Sequence, residues 1–211
     1  MLRSLKPQPA NGVRRVLAID RTPEVVIKVV SSGSNSLAAI RIHLETMGRG
    51  THRSLEDDQG EPVLGKTAVD RLLDDWNLDL DELYWRQPYL VPARRTPPKL
   101  VHKLLFSMPA GTPPEKLLLA VRHFVREEFA DHRYALGLHT DDPHPHVHVI
   151  VKAFSEQAAR LNIRKPVLQA WRQKFARCLR SQGIPAKASP RSARRRGRPP
   201  LRGPVPSLRV A

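Results

Sequence analysis

The segment from His139 to Ile150 constrains the fold of this chain more than any other, because it places four histidines and two aspartates around one turn between two apolar runs. Alternate residues of a strand share a face. His146 and His148 therefore project the same way, while the valines beside them point to the other, buried side. The pattern predicts a β-strand that carries two imidazoles above a sheet.

A second apolar run lies just upstream, from Tyr134 to His139, and the residues between the runs, Thr140 to Pro145, have turn chemistry. Two strands joined in this way are expected to pair antiparallel. That pairing brings His139 beside His146 and His148.

Three neutral imidazoles can hold a divalent cation and leave coordination positions open for water or a phosphate oxygen, as a catalytic site requires. We therefore predict a metal site at His139, His146 and His148. Asp141 could orient one of these histidines through its second nitrogen. The alternative is a set of solvated turn and edge-strand histidines, and the other polar residues of the turn fit that alternative equally well.

The chain of 211 residues carries a formal charge of +16 at pH 7, and half of its 20 acidic residues fall between residues 56 and 82. The remainder is therefore strongly basic. This balance predicts a polyanionic partner, with nucleic acid favoured over a membrane surface. After Gly183 the chain has no acidic residue and many arginines. We expect a disordered polycationic tail there, suited to non-specific nucleic-acid contact.

No apolar run of the sequence approaches the length needed to span a bilayer, and the N-terminus has no hydrophobic signal core. We therefore expect a soluble, cytoplasmic protein with no membrane insertion. The single cysteine, Cys178, excludes an internal disulfide and is expected to lie in the core.

Composition and periodicity divide the chain into three parts. We expect a flexible basic arm over residues 1–23, one domain over 24–185 and a disordered arginine- and proline-rich tail over 186–211. Within the domain the patterns predict two further strands, at 25–30 and 101–108, and four helices, at 37–47, 68–76, 112–129 and 166–182. The third of these helices would begin with a capping box formed by Thr112 and Glu115.

Two runs of the predicted hairpin read His139-Thr140-Asp141 and Pro145-His146-Val147-His148-Val149-Ile150-Val151. Together they resemble the histidine motif of the plasmid mobilization relaxases, nucleases in which two histidines flank one hydrophobic residue. The resemblance extends over roughly residues 24–185 and includes the segment 106–113 and the helix from Pro166. It implies an α+β fold with a central antiparallel β-sheet, helices packed mainly on one face and a metal site on the sheet.

Relaxases nick one DNA strand at a transfer origin during conjugation: a metal held by three histidines polarises the scissile phosphate, and a tyrosine attacks it. The resemblance implies that His139, His146 and His148 hold Mg²⁺ or Mn²⁺. Asp141 would orient a histidine or accept a proton. The implied partners are single-stranded DNA at a plasmid transfer origin and the relaxosome accessory and coupling proteins. The basic residues expected to contact DNA are Arg49, Lys152, Arg172, Arg194, Arg195 and Arg196.

The attacking tyrosine of this family lies near the end of the first helix, in a His-Leu-x-Tyr-Ile-x-Arg type segment. Here the segment reads His43-Leu44-Glu45-Thr46-Met47-Gly48-Arg49, so Thr46 stands at the expected tyrosine position. A phenol, with a pKa of about 10, ionises more easily and leaves more readily than an aliphatic hydroxyl. Strand transfer is therefore expected to be impaired unless Tyr84 or Tyr89 supplies the nucleophile.

Three hypotheses follow from these patterns. The first is a relaxase-like, metal-dependent endonuclease for single-stranded DNA, with strand transfer impaired. The second is a catalytically inactive DNA-binding or relaxosome accessory protein that keeps the fold. The third is a nucleotide hydrolase, because His144-Pro145-His146-Val147-His148 also resembles the alternating histidines of the histidine-triad family, which uses no metal.

Overall fold

The structure is a computed structural model that describes residues 22–30, 34–49, 54–85 and 98–190. Its strands are β1 (Val26–Val30), β2 (Ser54–Asp57), β3 (Val101–Ser107), β4 (Tyr134–His139) and β5 (His146–Lys152). Its helices are α1 (Leu37–Met47), α2 (Gly65–Asp75), α3 (Leu78–Trp85), α4 (Pro114–Glu128) and α5 (Lys165–Ser181). In this part of the chain no helix combines the length and the apolar character needed to cross a membrane. Tyr89, Arg194, Arg195, Arg196 and most of the predicted N-terminal arm lie outside the described residues.

The strands form one sheet in the order β1-β3-β5-β4-β2, and every neighbouring pair is antiparallel. The predicted pairing of the two histidine-bearing runs is confirmed, because β4 and β5 are neighbours on either side of the turn at residues 140–145. β5 is the central strand of the sheet. The predicted α+β fold with a central antiparallel sheet is confirmed.

The two longest helices, α4 and α5, cover one face of the sheet, which we name the aromatic face. The valines of β5 point to this face and are 0 % exposed. Rings fill the space between the sheet and the two helices, and they belong to Phe106, Phe124, Phe129, Trp171 and Phe175. Both helices are amphipathic and turn their apolar stripes to the sheet.

The three shorter helices, α1, α2 and α3, cover part of the other face, which we name the histidine face. Ile150 of β5 and Ala135 of β4 are 0 % exposed there and belong to one buried cluster with Leu44 and Trp76. Helices therefore lie on both faces, and the expectation of helices mainly on one face holds for α4 and α5 only. The physical reason is that β5 beyond His148 is apolar at both parities, so this half of the strand needs cover on both sides.

The start of α4 differs from the sequence prediction. The helix begins at Pro114 with Pro113 at the N-cap position, and no side chain caps it. The hydroxyl of Thr112 instead donates a hydrogen bond to the carbonyl of Pro109 (2.8 Å). The predicted capping box with Glu115 is wrong, because Thr112 closes the preceding turn.

Residues 186–190 extend the described structure past residue 185, the predicted end of the domain. The backbone N–H of Val25 donates to the carbonyl of Lys187 (3.0 Å), and the N–H of Lys187 donates to the carbonyl of Pro23 (2.9 Å). This stretch therefore lies beside the start of β1. The wider domain boundaries stay predictions.

Candidate metal centre

The ladder between β4 and β5 brings three imidazoles together on the histidine face. His139 is directly opposite His146 in the register, and His148 lies two residues further along β5. The residue opposite His148 is Gly137, which has no side chain, so the rings of His139 and His148 approach diagonally to 4.7 Å between centroids. The other two ring pairs are each 5.3 Å apart. The register thus unites the three histidines that the sequence singles out.

These three side chains fit a metal ion. One ligand nitrogen from each histidine lies within 4.8 Å of the other two, and the described residues contain no other such group of histidine, cysteine or acidic side chains. Nitrogen ligands lie about 2.0–2.1 Å from zinc, so two of them on one ion are at most about 4.2 Å apart. Binding of an ion would therefore require the three rings to move slightly closer together. His139 is buried and the other two are half-buried, which leaves one side of the group open.

Backbone carbonyls hold the second ring nitrogens of two of these histidines. Nε2 of His139 lies 3.2 Å from the carbonyl oxygen of Met47, and Nδ1 of His146 lies 3.0 Å from that of His144. A carbonyl only accepts, so we assign the proton to these two nitrogens and the lone pair to the opposite nitrogen of each ring. Such outer hydrogen bonds fix the tautomer and the orientation of a metal-binding histidine.

A fourth imidazole, His43 of α1, packs against this group. Its ring centroid lies 5.6 Å from that of His148, edge to face at 73°. Burial, followed by the charges of Lys103 and His139, lowers the pKa of His43 to about 4, so the ring is neutral at pH 7. Its Nε2 is buried without a hydrogen-bond partner among the described residues. The sequence alone assigns no role to His43, and its helical spacing of four residues from Met47 is the signal that could have found it.

The C-terminal end of α1 lies beside the three histidines, as the resemblance implied, because the carbonyl of Met47 contacts His139. Thr46, at the expected tyrosine position, is exposed. Its hydroxyl donates a hydrogen bond to the carbonyl of Ile42, one turn earlier in the helix (2.7 Å). The hydroxyl at the nucleophile position is therefore hydrogen-bonded to its own helix.

Of the three tyrosines, the two that the structure describes lie away from the three histidines. Tyr134 points to the aromatic face. Tyr84 belongs to α3, whose Glu82 accepts a hydrogen bond from the N–H of Leu37 (3.1 Å) at the N-terminal end of α1. The histidines lie at the other end of that helix, about 16 Å away for its 11 residues. Tyr89 is outside the described residues.

The turn between β4 and β5 carries the remaining polar residues of the motif. Asp141 is exposed and does not belong to the group of converging ligand atoms, so its orienting role stays a prediction. His144 is also exposed, and only its carbonyl approaches the ring of His146. The converging group thus contains His139 and not His144.

The basic residues predicted to contact DNA are dispersed. Arg49 follows α1 near the histidines, and its side chain is 74 % exposed beside Glu45 (3.0 Å). Lys152 is buried at the far end of β5, with its Nζ 3.7 Å from Oδ2 of Asp81. Asp81 of α3 therefore lies over that end of the histidine face, and the DNA contact of Lys152 stays a prediction. Arg172 lies on α5, across the sheet from the histidines, and donates to a carbonyl of β1 (3.1 Å).

Residues 89–184 match the family model of the MobA/VirD2-like relaxase nuclease domain. No curated protein matches the chain. One similar solved structure, described as the molecular basis of vancomycin resistance transfer in Staphylococcus aureus, has 10 % sequence identity and a TM-score of 0.47 over 80 % of this chain and 99 % of that one. Another, the conjugative relaxase TrwC in a metal-bound complex with oriT DNA, has 12 % identity and a TM-score of 0.41 over 75 % of this chain and 68 % of that one.

The family match includes β3, α4, β4, β5 and α5, and therefore all three histidines of the candidate metal centre. The resemblance indicated by the histidine motif is confirmed for this part of the chain. Residues 89–184 are therefore similar to the nuclease domain of the MobA/VirD2-like relaxases.

Proposed function

We propose that this chain is a metal-dependent endonuclease for single-stranded DNA that acts at a plasmid or mobile-element transfer origin. The observation that carries the proposal is the convergence of His139, His146 and His148 on one face of the sheet, inside the segment that matches the relaxase nuclease domain. Three protein ligands leave positions open for water or a phosphate oxygen, whereas a structural site surrounds its ion with protein ligands.

The donor set selects among divalent ions. Mg²⁺ prefers oxygen ligands in an octahedral arrangement, and Mn²⁺ is also served best by oxygens, whereas imidazole suits later first-row ions. We therefore expect Zn²⁺ or Ni²⁺ to bind more tightly than Mn²⁺, and Mn²⁺ more tightly than Mg²⁺. When bound, such an ion polarises the scissile phosphate and offsets its charge.

The chain's own residues orient the site in advance. Carbonyl groups hold the rings of His139 and His146, and the edge of the His43 ring rests against His148. These contacts restrict rotation of the imidazoles, so the imidazoles lose little conformational entropy when DNA binds. Arg49, exposed at the end of α1, supplies a cation that can bind a phosphate.

Three further parts of the proposal rest on the family resemblance and the sequence alone. Asp141 would orient a histidine or accept a proton. Arg194, Arg195 and Arg196 would bind DNA without sequence preference. Accessory and coupling proteins would assemble with the chain at the origin.

Thr46 changes the outcome that we propose for cleavage. An aliphatic hydroxyl has a much higher pKa than a phenol, so it attacks slowly and leaves poorly. The hydrogen bond from Thr46 to Ile42 also engages its proton. We therefore expect water to attack the phosphorus atom, which leaves one strand end with a hydroxyl, the other with a phosphate, and no lasting covalent link to the protein.

The test incubates labelled single-stranded DNA pools that carry candidate transfer origins with the protein and Mn²⁺, Zn²⁺ or Ni²⁺. His146→Ala removes one metal ligand, and His144→Ala is its matched control from the adjacent turn. Thr46→Tyr restores a phenol at the end of α1. Free products and protein-linked DNA are measured separately.

We expect metal-dependent cutting by the wild type and by His144→Ala, and none by His146→Ala. Thr46→Tyr should add protein-linked DNA. Normal metal binding without any cutting, by the wild type and Thr46→Tyr alike, would overturn the proposal.

The second candidate is a DNA-binding protein without nuclease activity, and the observation that favours it is Thr46 at the expected tyrosine position. It predicts salt-sensitive DNA binding by the wild type without products, and cutting gained only in Thr46→Tyr. The nucleotide-hydrolase hypothesis has less support, because His144 is exposed and is not in the converging group with His146 and His148.

A further inference from the structure

A row of three side chains crosses the histidine face from the candidate metal centre to the edge of the sheet. In the register His148 of β5 is opposite Leu105 of β3, and Leu105 is opposite Lys28 of β1. Directly paired residues share a face, so Lys28 stands on the same face as the three histidines. Neighbouring strands are about 4.8 Å apart, which puts the Cα atoms of His148 and Lys28 about 10 Å apart.

Lys28 is a cation open to solvent. The residue is exposed and forms no ion pair with any residue that the structure describes. Glu24 is the nearest acidic residue along the chain, and Ser189 binds its carboxylate through both the backbone N–H (3.1 Å) and the hydroxyl. The positive charge of Lys28 is therefore available to a ligand that approaches this face.

Among the described residues, the register positions of β1 and β3 between Lys28 and the histidines carry aliphatic and hydroxyl side chains and no acid. The residues at these positions are half-buried, and they are Val26, Val30, Leu105 and Ser107. α1 packs over β2 and β4, on the other side of the histidines, while α5 contacts β1 from the aromatic face. The described residues of the strip over β3 and β1 thus form an apolar surface that ends in a cation.

A second lysine adds positive charge to this strip from within the sheet. Lys103 pairs with Val30 of β1 and with Ile150 of β5, so it belongs to the next row on the same face. It is 5 % exposed, and burial lowers its pKa. It lies beside Leu105, the residue between His148 and Lys28, two positions away along β3 on the same face.

We propose that Lys28 binds a phosphate of the single strand next to the scissile phosphate, so that the DNA crosses the sheet at right angles to its strands. The path would run from Arg49 at the end of α1, over the three histidines, to the edge strand β1. Aliphatic side chains along the strip would contact sugars and bases without selecting a sequence. The inference rests on the proposed function, because it takes single-stranded DNA as the ligand.

The test measures binding of a fluorescent single-stranded oligonucleotide by anisotropy at several salt concentrations, in chelator so that no cutting occurs. Lys28→Ala should weaken binding about fivefold. It should also reduce the slope of log affinity against log salt by about 0.7, the value for one phosphate contact on a single strand. Lys28→Arg should keep the slope. The matched control is Lys165→Ala, which removes an exposed lysine from the start of α5.

The outcomes separate the inference from the function on which it rests. Normal binding by Lys28→Ala, with an unchanged salt slope, would overturn the path while leaving the proposed endonuclease intact. Equal losses in Lys28→Ala and Lys165→Ala would also overturn it, because they would show a diffuse charge effect. Absence of single-strand binding by the wild type would remove the proposed function itself.

Discussion

The two faces of the sheet differ in how completely their side chains are packed and hydrogen-bonded. On the aromatic face Phe124 lies among four other rings, with centroid distances of 5.1 Å to Phe106 and 6.3 Å to Phe175. The indole N–H of Trp171 is also satisfied, since it donates to Glu128 (2.5 Å). On the histidine face the buried apolar cluster follows β5 only as far as His148. From His148 toward the turn, imidazole side chains replace apolar ones.

Along the middle of β5, core side chains and the candidate metal ligands therefore lie on opposite sides of the same strand. Val147 and Val149 of β5 are 0 % exposed on the aromatic face, while His146 and His148 alternate with them on the other. A change on one face should therefore alter folding with little effect on metal binding, and a change on the other should do the reverse. Variants on each face test this separation.

Phe124→Ala should lower the free energy of unfolding by about 3–5 kcal/mol, because it leaves a cavity among rings that cannot collapse into it. Metal affinity of the folded variant should match the wild type. Chemical denaturation and a metal titration at low temperature measure the two quantities. A large loss of metal affinity in folded Phe124→Ala would show that the two faces do not act independently.

His102 should make the stability of the metal-free protein depend on pH, although its parity on β3 is opposite to that of the candidate metal centre. Burial, first, and the charge of Lys99 lower its pKa from 6.5 to about 4, and the ring contacts the carbonyl of Leu161 (3.1 Å). Between pH 4 and pH 6.5 the unfolded chain binds more protons at this histidine than the folded chain does. The free energy of unfolding therefore rises with pH, and this contribution is lost as the pH falls from 6.5 to 4. The contribution of this histidine is up to about 3 kcal/mol.

His102→Gln keeps a polar group near that carbonyl and cannot titrate, so it should flatten the pH dependence. Denaturant unfolding with chelator at several pH values between 4 and 7 gives the comparison. If the free energy of unfolding changed with pH equally in the variant and the wild type, other titratable groups would be responsible for the pH dependence. His43, whose pKa is also lowered to about 4, should leave a residual slope.

Metal should stabilise the fold through the histidine face. At a free concentration of about 100 times Kd, Zn²⁺ or Ni²⁺ should raise the free energy of unfolding of the wild type by about 2.7 kcal/mol. His139→Ala should lose this increment. His123→Ala should retain it, because His123 is exposed on α4 and pairs with Glu127 (2.8 Å) on the other side of the molecule. An equal increment in His139→Ala would place the metal elsewhere.

His43→Leu should weaken metal binding about tenfold, because His148 loses the ring that rests against it from α1. Leucine keeps an apolar side chain in the same space, so folding should change little. Calorimetric titration with Zn²⁺ measures the affinity, and Ile42→Ala, an exposed neighbour on α1, is the control. Unchanged affinity in His43→Leu would limit the centre to the three histidines of the hairpin.

The hairpin of β4 and β5 could be predicted because residues close together in the sequence determine it. Period-two alternation places His146 and His148 together, and a turn of six residues sets β4 beside β5. The position of the end of α1 beside the histidines also agrees with the family resemblance, as the contact between Met47 and His139 shows.

The remaining features depend on packing between distant segments, which a single sequence does not display. Lys152 has the same parity as His148, yet Asp81 of α3 covers it, and only the docking of that helix reveals this. The approach of His43 to His148 likewise requires α1 to lie over the sheet. Helix patterns predict that an apolar stripe exists, but not which face of the sheet it will cover.

The three converging histidines span only ten residues of chain, whereas the hydrogen bond between His139 and Met47 joins residues 92 positions apart. In folding terms the hairpin of β4 and β5 has low contact order, and the attachment of α1 has high contact order. The hairpin can therefore form before α1 is in place. If the three histidines bind an ion, ion uptake alone reports a closed hairpin, and only a signal from α1 reports the complete candidate centre.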